Sequence, residues 1–189
     1  MNDITKTFTI QWVGPFKNIL KMKQYLNDST TCEKSLFNFY YFSGNKKGSA
    51  YSNSNIYSYF GIHKKTDGIE KRLNNYHTHY KQFHENENMR IWIGAFGNAK
   101  DQKEKNIEDA ETLFISTYGN GIFTENTNKV NADISESICI INLFYKPNET
   151  PWIRKPTEIF FMDDVLIHET EEKTKRTLVA KLKAVNWKY

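Results

Sequence analysis

The spacing of hydrophobic positions changes period several times along the chain, and each change predicts an element. Residues 6–12, KTFTIQW, alternate and are rich in β-branched side chains, which predicts a strand. Gly14 and Pro15 then open a short helix with Phe16, Ile19, Leu20 and Leu26 on one side. LFNFYYFSG reads as a second strand and NIYSYFGI as a third, and the polar NKKGSAYSNSN between them predicts the loop of a hairpin. Asp67, with Glu70 three residues on, has the form of a capping box. Ile69, Leu73, Tyr76, Tyr80 and Phe83 would be the apolar stripe of the helix that follows it. MRIWIGAF predicts a fourth strand, and Ile107, Ala110, Phe114, Ile115 and Tyr118 a helix at about 106–118. Residues 119–133 show little periodicity and read as loop. ESICIINLFY is a strand whose nearly continuous apolar run suggests burial on both faces. Prolines at 147, 151 and 156 mark an irregular connection, EIFFM and VLIH follow as short strands, and a last helix carries Leu178, Leu182 and Val185. The order β-α-β-β-α-β-α-β-β-α predicts an α/β (α+β) fold, a small mixed or antiparallel central sheet flanked by helices.

With 189 residues, the chain is expected to form one domain. Apolar residues make up 39% and aromatic ones 15%, so Phe and Tyr carry much of the core. The formal charge of +4 permits a polyanionic partner without demanding one. Cys32 and Cys139 stand far apart and at no metal-binding spacing, which argues for reduced thiols rather than a zinc site or a disulfide scaffold. No N-terminal stretch has the form of a signal peptide, and no apolar run approaches the roughly 20 residues of a membrane helix. The expectation is a soluble cytoplasmic protein with no membrane partner.

Three groups of residues carry candidate chemistry. Arg72 and Tyr76 are four apart on the predicted second helix, hence on one face, and Tyr59 ends the strand before it. Arginine matches a phosphate through its planar fork of donors; the plain alternative is a solvated surface arginine beside a half-buried tyrosine. Glu111 falls within the apolar stripe of helix 106–118. A carboxylate there costs several kcal/mol (roughly) unless it is paired, protonated or bound to a metal, so it is either salt-bridged at the rim or a metal ligand or general base at a cleft floor. His63, Lys64, Lys65 and Thr66 follow Gly61 as a basic turn able to touch a phosphate, or simply to be solvated. His77 and His79, two apart on a helix, are not expected to share a zinc ion.

These residues together resemble the GIY-YIG endonuclease superfamily. YFG at Tyr59–Gly61 is similar to the YIG element, NFYYF at Asn38–Phe42 stands where the GIY element belongs, GIEKRLNNYH is similar to the arginine-bearing helix, and ETLFISTYGN to the helix with the glutamate. The resemblance covers about residues 37–130, leaving 1–36 and 131–189 as flanking elaborations. The chain departs from the family at the first motif's glycine, where Asn38 or Phe39 stands, and in a longer hairpin loop. The resemblance implies that Tyr40 or Tyr41, together with Tyr59, hydrogen-bonds the nucleophilic water and the scissile phosphate, one of them as general base. It implies that Arg72 neutralises the phosphate, that Tyr76 supports the phosphate or the water, and that Glu111 binds one Mg2+ or Mn2+ that stabilises the leaving oxygen. His63, Lys64 and Lys65 would contact DNA, as would Asn126, with Asn120 and Asn128 as rivals for its place. A tyrosine ionises near ~10 unless cations lower it, and Lys64, Lys65 and Arg72 are placed to supply that field.

The expected function is therefore a divalent-metal-dependent endonuclease hydrolysing DNA phosphodiester bonds, with double-stranded DNA as its partner and its flanks available for DNA contact, a homodimer face or a targeting protein. Two alternatives stand beside it. One is a catalytically inactive nucleic-acid-binding or protein-interaction domain on the same fold. The other is an unrelated α/β domain in which Glu111 is merely salt-bridged.

Overall fold

The computed structural model describes residues 4–28, 36–48, 56–65, 67–74, 76–119, 125–126, 128–129, 134–152, 155–156, 159, 162–170 and 174–178. The described strands are β1 (Lys6–Phe16), β2 (Phe37–Gly44), β3 (Tyr57–Ile62), β4 (Arg90–Phe96), β5 (Ile138–Tyr145), β6 (Val165–Glu169) and β7 (Thr174–Leu178). The described α-helices are α1 (Ile19–Asp28), α2 (Ile69–Arg72) and α3 (Glu104–Tyr118). One mixed sheet takes all seven strands in the order β3-β2-β4-β1-β5-β6-β7. The β1–β5 pair is parallel and the other five pairs are antiparallel.

Alternation along β2 divides the core. Phe39 and Tyr41 point to one face of the sheet, where they join Trp12, Phe60, Phe96 and the buried side of α3. Tyr40 and Phe42 point to the other, where they join Ile91, Ile93 and the Ile19, Met22 and Leu26 stripe of α1. On the first face Phe114 of α3 stacks on Phe60 at 4.7 Å and meets Trp12 edge-on, which anchors α3 beneath the hairpin. The hairpin of β2 and β3 has a continuous register from Phe39↔Ile62 to Gly44↔Tyr57, and β3 forms one end of the sheet. Its outer edge is covered: Glu125 N–H donates to Ser58 O at 3.0 Å, and the Asn126 amide exchanges two 2.8 Å bonds with the backbone of Phe60.

Several expectations are corrected. β1 does not stop at residue 12 but runs through Pro15 to Phe16, with the proline inside a register shift against β4 that leaves no ladder bond for it to make. The helix expected from Asp67 to Phe83 is one turn, α2, and its N-cap is Gly68 at φ 96, so the capping box does not form. At the C-cap, Leu73 is extended, and Tyr80–Gln82 form a separate 3-10 turn. Within EIFFM, the described Ile159 and Met162 lie on successive turns rather than a strand. Leu178 ends strand β7 and is not helical, while Leu182 and Val185 lie outside the described residues, as do Cys32, Thr66 and Asn120. Cys139 is buried in β5 as expected, and burial pushes its thiol up. Among the described residues no helix is long and apolar enough to cross a membrane.

Candidate active site at the hairpin edge

The β2–β3 hairpin presents tyrosines to both sides of the sheet, and this separates the two candidates for the first motif. Tyr41 is packed in the core against α3, and burial pushes its hydroxyl up to about 12. Tyr40 faces the side where α2 lies, and its hydroxyl is 2.9 Å from His77 Nε2 and within hydrogen-bonding reach of Arg72 and Tyr59. Its ring lies directly over Gly61: a Cβ built there would sit 2.5 Å from Tyr40 Cζ and Oη. The glycine of YFG is thus required by the close approach of a ring across the hairpin.

Tyr59, two register positions further along and opposite Phe42, packs 6.1 Å from the Tyr40 ring and stacks on His79 at 3.9 Å. Arg72, the last residue of α2, brings its guanidinium to the same place, and its charge is favoured first by Tyr40 and then by Tyr59 and Glu111. Glu111 on α3 in turn raises Tyr59. Arg72 is thus the common neighbour: it is within hydrogen-bonding reach of Tyr40 and shares one cleft with Tyr59 and another with Glu111. The expected lowering of the tyrosines does not occur. Burial dominates at Tyr40 and at Tyr59 and raises both, with Arg72 opposing it only in part. Both hydroxyls stay protonated in the free protein and act as hydrogen-bonding groups.

Breaking the second helix rearranges its residues. Tyr76 is not one turn above Arg72; it stands 89% exposed on a turn, and His77 takes the place beside Tyr40. His77 is buried, and burial followed by the charge of Arg72 lowers it to about 4. A neutral ring with Nδ1 accepting from Tyr80 N–H at 3.3 Å carries its hydrogen on Nε2, which donates to Tyr40 Oη. His77 and His79 were legible only as a pair with poor zinc spacing; the turn-forming Asn74 that precedes them was the available sign that the helix ends early.

Two clefts meet at Arg72. One, of about 660 Å³, is lined by Lys64, Lys65, Lys71, Arg72 and Lys129 against Asp67, Glu108 and Glu111, and so carries a surplus of positive charge. Much of that charge is paired: Lys64 with Glu108 and Glu104, Lys71 with Asp67 at 3.5 Å, and Lys129 with Glu111 at 2.6 Å. Among the described residues, Lys65 and Arg72 have no carboxylate partner. His63 also lines this cleft; it is buried, with Nε2 2.7 Å from Asp67 Oδ1. Asn126 spends both amide groups on the edge of β3, and Asn128 is exposed. The second cleft, of about 420 Å³, is lined by Tyr59, Arg72, Tyr76, His77, Thr78 and His79.

The carboxylate that the sequence left needing a partner has one in Lys129, a residue in the stretch without periodicity that no pattern singled out. Glu111 is half-buried and offers a single carboxylate; among the described residues no group of three or more His, Cys, Asp or Glu is gathered for a metal. One carboxylate suits a magnesium ion that completes its shell with water and substrate phosphate, and does not suit a site made wholly of protein ligands. Comparisons with protein-family models, with curated proteins and with solved structures find no match to this chain.

Proposed function

We propose that the chain is a GIY-YIG-like, divalent-metal-dependent endonuclease that hydrolyses DNA phosphodiester bonds, with residues 37–130 as its catalytic core. The observation that carries this reading is Arg72: a guanidinium without a carboxylate partner among the described residues, set between two tyrosine hydroxyls and the Glu111 carboxylate where two clefts meet. A phosphodiester placed there has its equatorial oxygens neutralised by Arg72. Tyr40 is wholly buried and held by His77, so it orients its neighbours, whereas Tyr59 lines a cleft and is the tyrosine that reaches a water. Lys65 extends the phosphate contact along the basic cleft. Glu111 would hold Mg2+ or Mn2+, which when bound stabilises the leaving oxygen.

A second reading is favoured by one contact. Lys129 already neutralises Glu111, as a catalytically inactive nucleic-acid-binding domain would have it. Incubation of plasmid DNA of varied sequence with Mg2+ or Mn2+ separates the two. The nuclease reading expects nicking or cleavage that chelator stops and that Glu111→Ala and Arg72→Ala each reduce by about 100-fold or more, the size of losing a transition-state charge contact. Cleavage that survives Glu111→Ala would show the site to be misassigned. DNA binding without cleavage supports the inactive domain.

A further inference from the structure

The smaller cleft has chemistry of its own. Tyr76 is the most exposed of the large hydrophobic side chains among the described residues, at 89%, and it lines this cleft. The turn that carries it is fixed through its backbone: Asn74 Oδ1 accepts from Tyr76 N–H at 2.9 Å, Asn74 Nδ2 donates to Lys71 O at 3.0 Å, and Asn74 O accepts from His77 N–H at 3.0 Å. The same cleft is lined by the stacked rings of Tyr59 and His79, 15° from parallel. Arg72 and Lys71 line both this cleft and the basic one. A ligand that reaches from one to the other has a phosphate at Arg72 and a flat, partly apolar group one bond-chain away among aromatic rings. A volume near 420 Å³ is of the size that accepts such a group.

We propose that this cleft is a nucleobase subsite in which the Tyr76 ring stacks on the base of the nucleotide next to the phosphate at Arg72. The position of that phosphate rests on the nuclease reading. Within a duplex both faces of each base are covered by its neighbours, so a side-chain ring stacks only on a base that is unpaired or turned out. The substrate class narrows accordingly, from double-stranded DNA in general to DNA with an unstacked nucleotide beside the cut, as at a gap, a flap or a single-stranded stretch.

The test is fluorescence anisotropy of the full chain, in chelator so that nothing is cut, with one sequence presented as perfect duplex, as duplex with a short single-stranded gap, and as single strand. Tyr76→Ala is expected to lose about tenfold in affinity for the gapped and single-stranded DNA, the size of one base–aromatic stack, with duplex binding nearly unchanged. Tyr76→Phe keeps the ring and is expected to retain the affinity. Because Tyr76 is exposed, both variants should melt as the parent does. Equal affinity of Tyr76→Ala and parent on every DNA, or an equal loss on all three, overturns the subsite. If the parent binds no DNA, the subsite and the nuclease reading fall together. If the parent shows the Tyr76-dependent preference but cuts nothing when metal is supplied, the subsite stands and the nuclease reading falls.

Discussion

Arg72 and Glu111 are legible in the linear chain, one as a phosphate-matching fork and the other as a carboxylate on an apolar stripe, but the residue that organises the site is His77. Its tautomer follows from two contacts, with Tyr80 N–H on one side and the Tyr40 hydroxyl on the other. Its proton affinity follows from burial and then from Arg72, which together lower it from 6.5 to about 4. The unfolded chain therefore takes up this proton at a higher pH than the folded one does. The stability that His77 contributes as a neutral ring is fully present above about pH 6.5 and is lost as pH falls towards about 4. His79, lowered mainly by burial, acts in the same direction. The urea midpoint of the parent is expected to fall over that interval, and His77→Gln, which does not titrate, to fall less. A parent midpoint that is flat or rises on acidification would contradict the buried neutral histidine.

At the scale of elements, the hairpin is the part that the sequence describes best and α2 the part that it describes worst. Alternating aromatic residues in NFYYF and YSYFG predict two strands, and the strands pair in register. What alternation leaves open is that a Tyr40 ring lies across the partner strand on Gly61. A side chain at Gly61 must displace that ring, so Gly61→Ala is expected to destabilise the fold by about 1–3 kcal/mol, the usual cost of overpacking a filled site. Denaturant titration measures this, and a neutral substitution would show that the ring has room to move. In the segment after Gly68, the apolar stripe correctly marks Ile69, Leu73, Tyr80 and Phe83 as buried but not Tyr76, which is exposed, and the four are buried from a broken chain rather than one helix. Apolar side chains leave water without requiring that the backbone between them be helical, and where turn-forming Asn74 interrupts the helix the stripe fails at Tyr76.

At the scale of the whole molecule, the candidate site depends on the connection from β4 to β5, which passes across β1 in the sheet and brings α3 under the first hairpin. The Glu111–Lys129 pair joins the chain after α3 to that helix on the wall of the basic cleft. A half-buried carboxylate relieved of its lysine is a better cation ligand. Lys129→Ala is accordingly expected to bind Mn2+ more tightly than the parent in the absence of DNA, read from the electron paramagnetic resonance of free manganese, whereas Glu111→Ala binds less. Unchanged binding in both variants would remove Glu111 as a metal ligand. The seven-stranded sheet also absorbs the segment expected to end the chain as a helix, since Thr174–Leu178 pairs with β6 and is held by ladder bonds rather than by its own periodicity.

By itself the sequence determined the mixed α/β class, the hairpin, α3 and the candidacy of Arg72 and Glu111, because each is written in local periodicity, in side-chain chemistry or in the cost of burying an ion. Only the tertiary structure decided that Tyr40 rather than Tyr41 faces Arg72, that His77 and not Tyr76 lies beside it, and that Lys129 neutralises Glu111. The physical reason is the same in each case. Which face of a strand meets which helix, where a short helix gives way to a turn, and which distant lysine reaches a carboxylate are settled by packing between elements, and no repeat within an element encodes them.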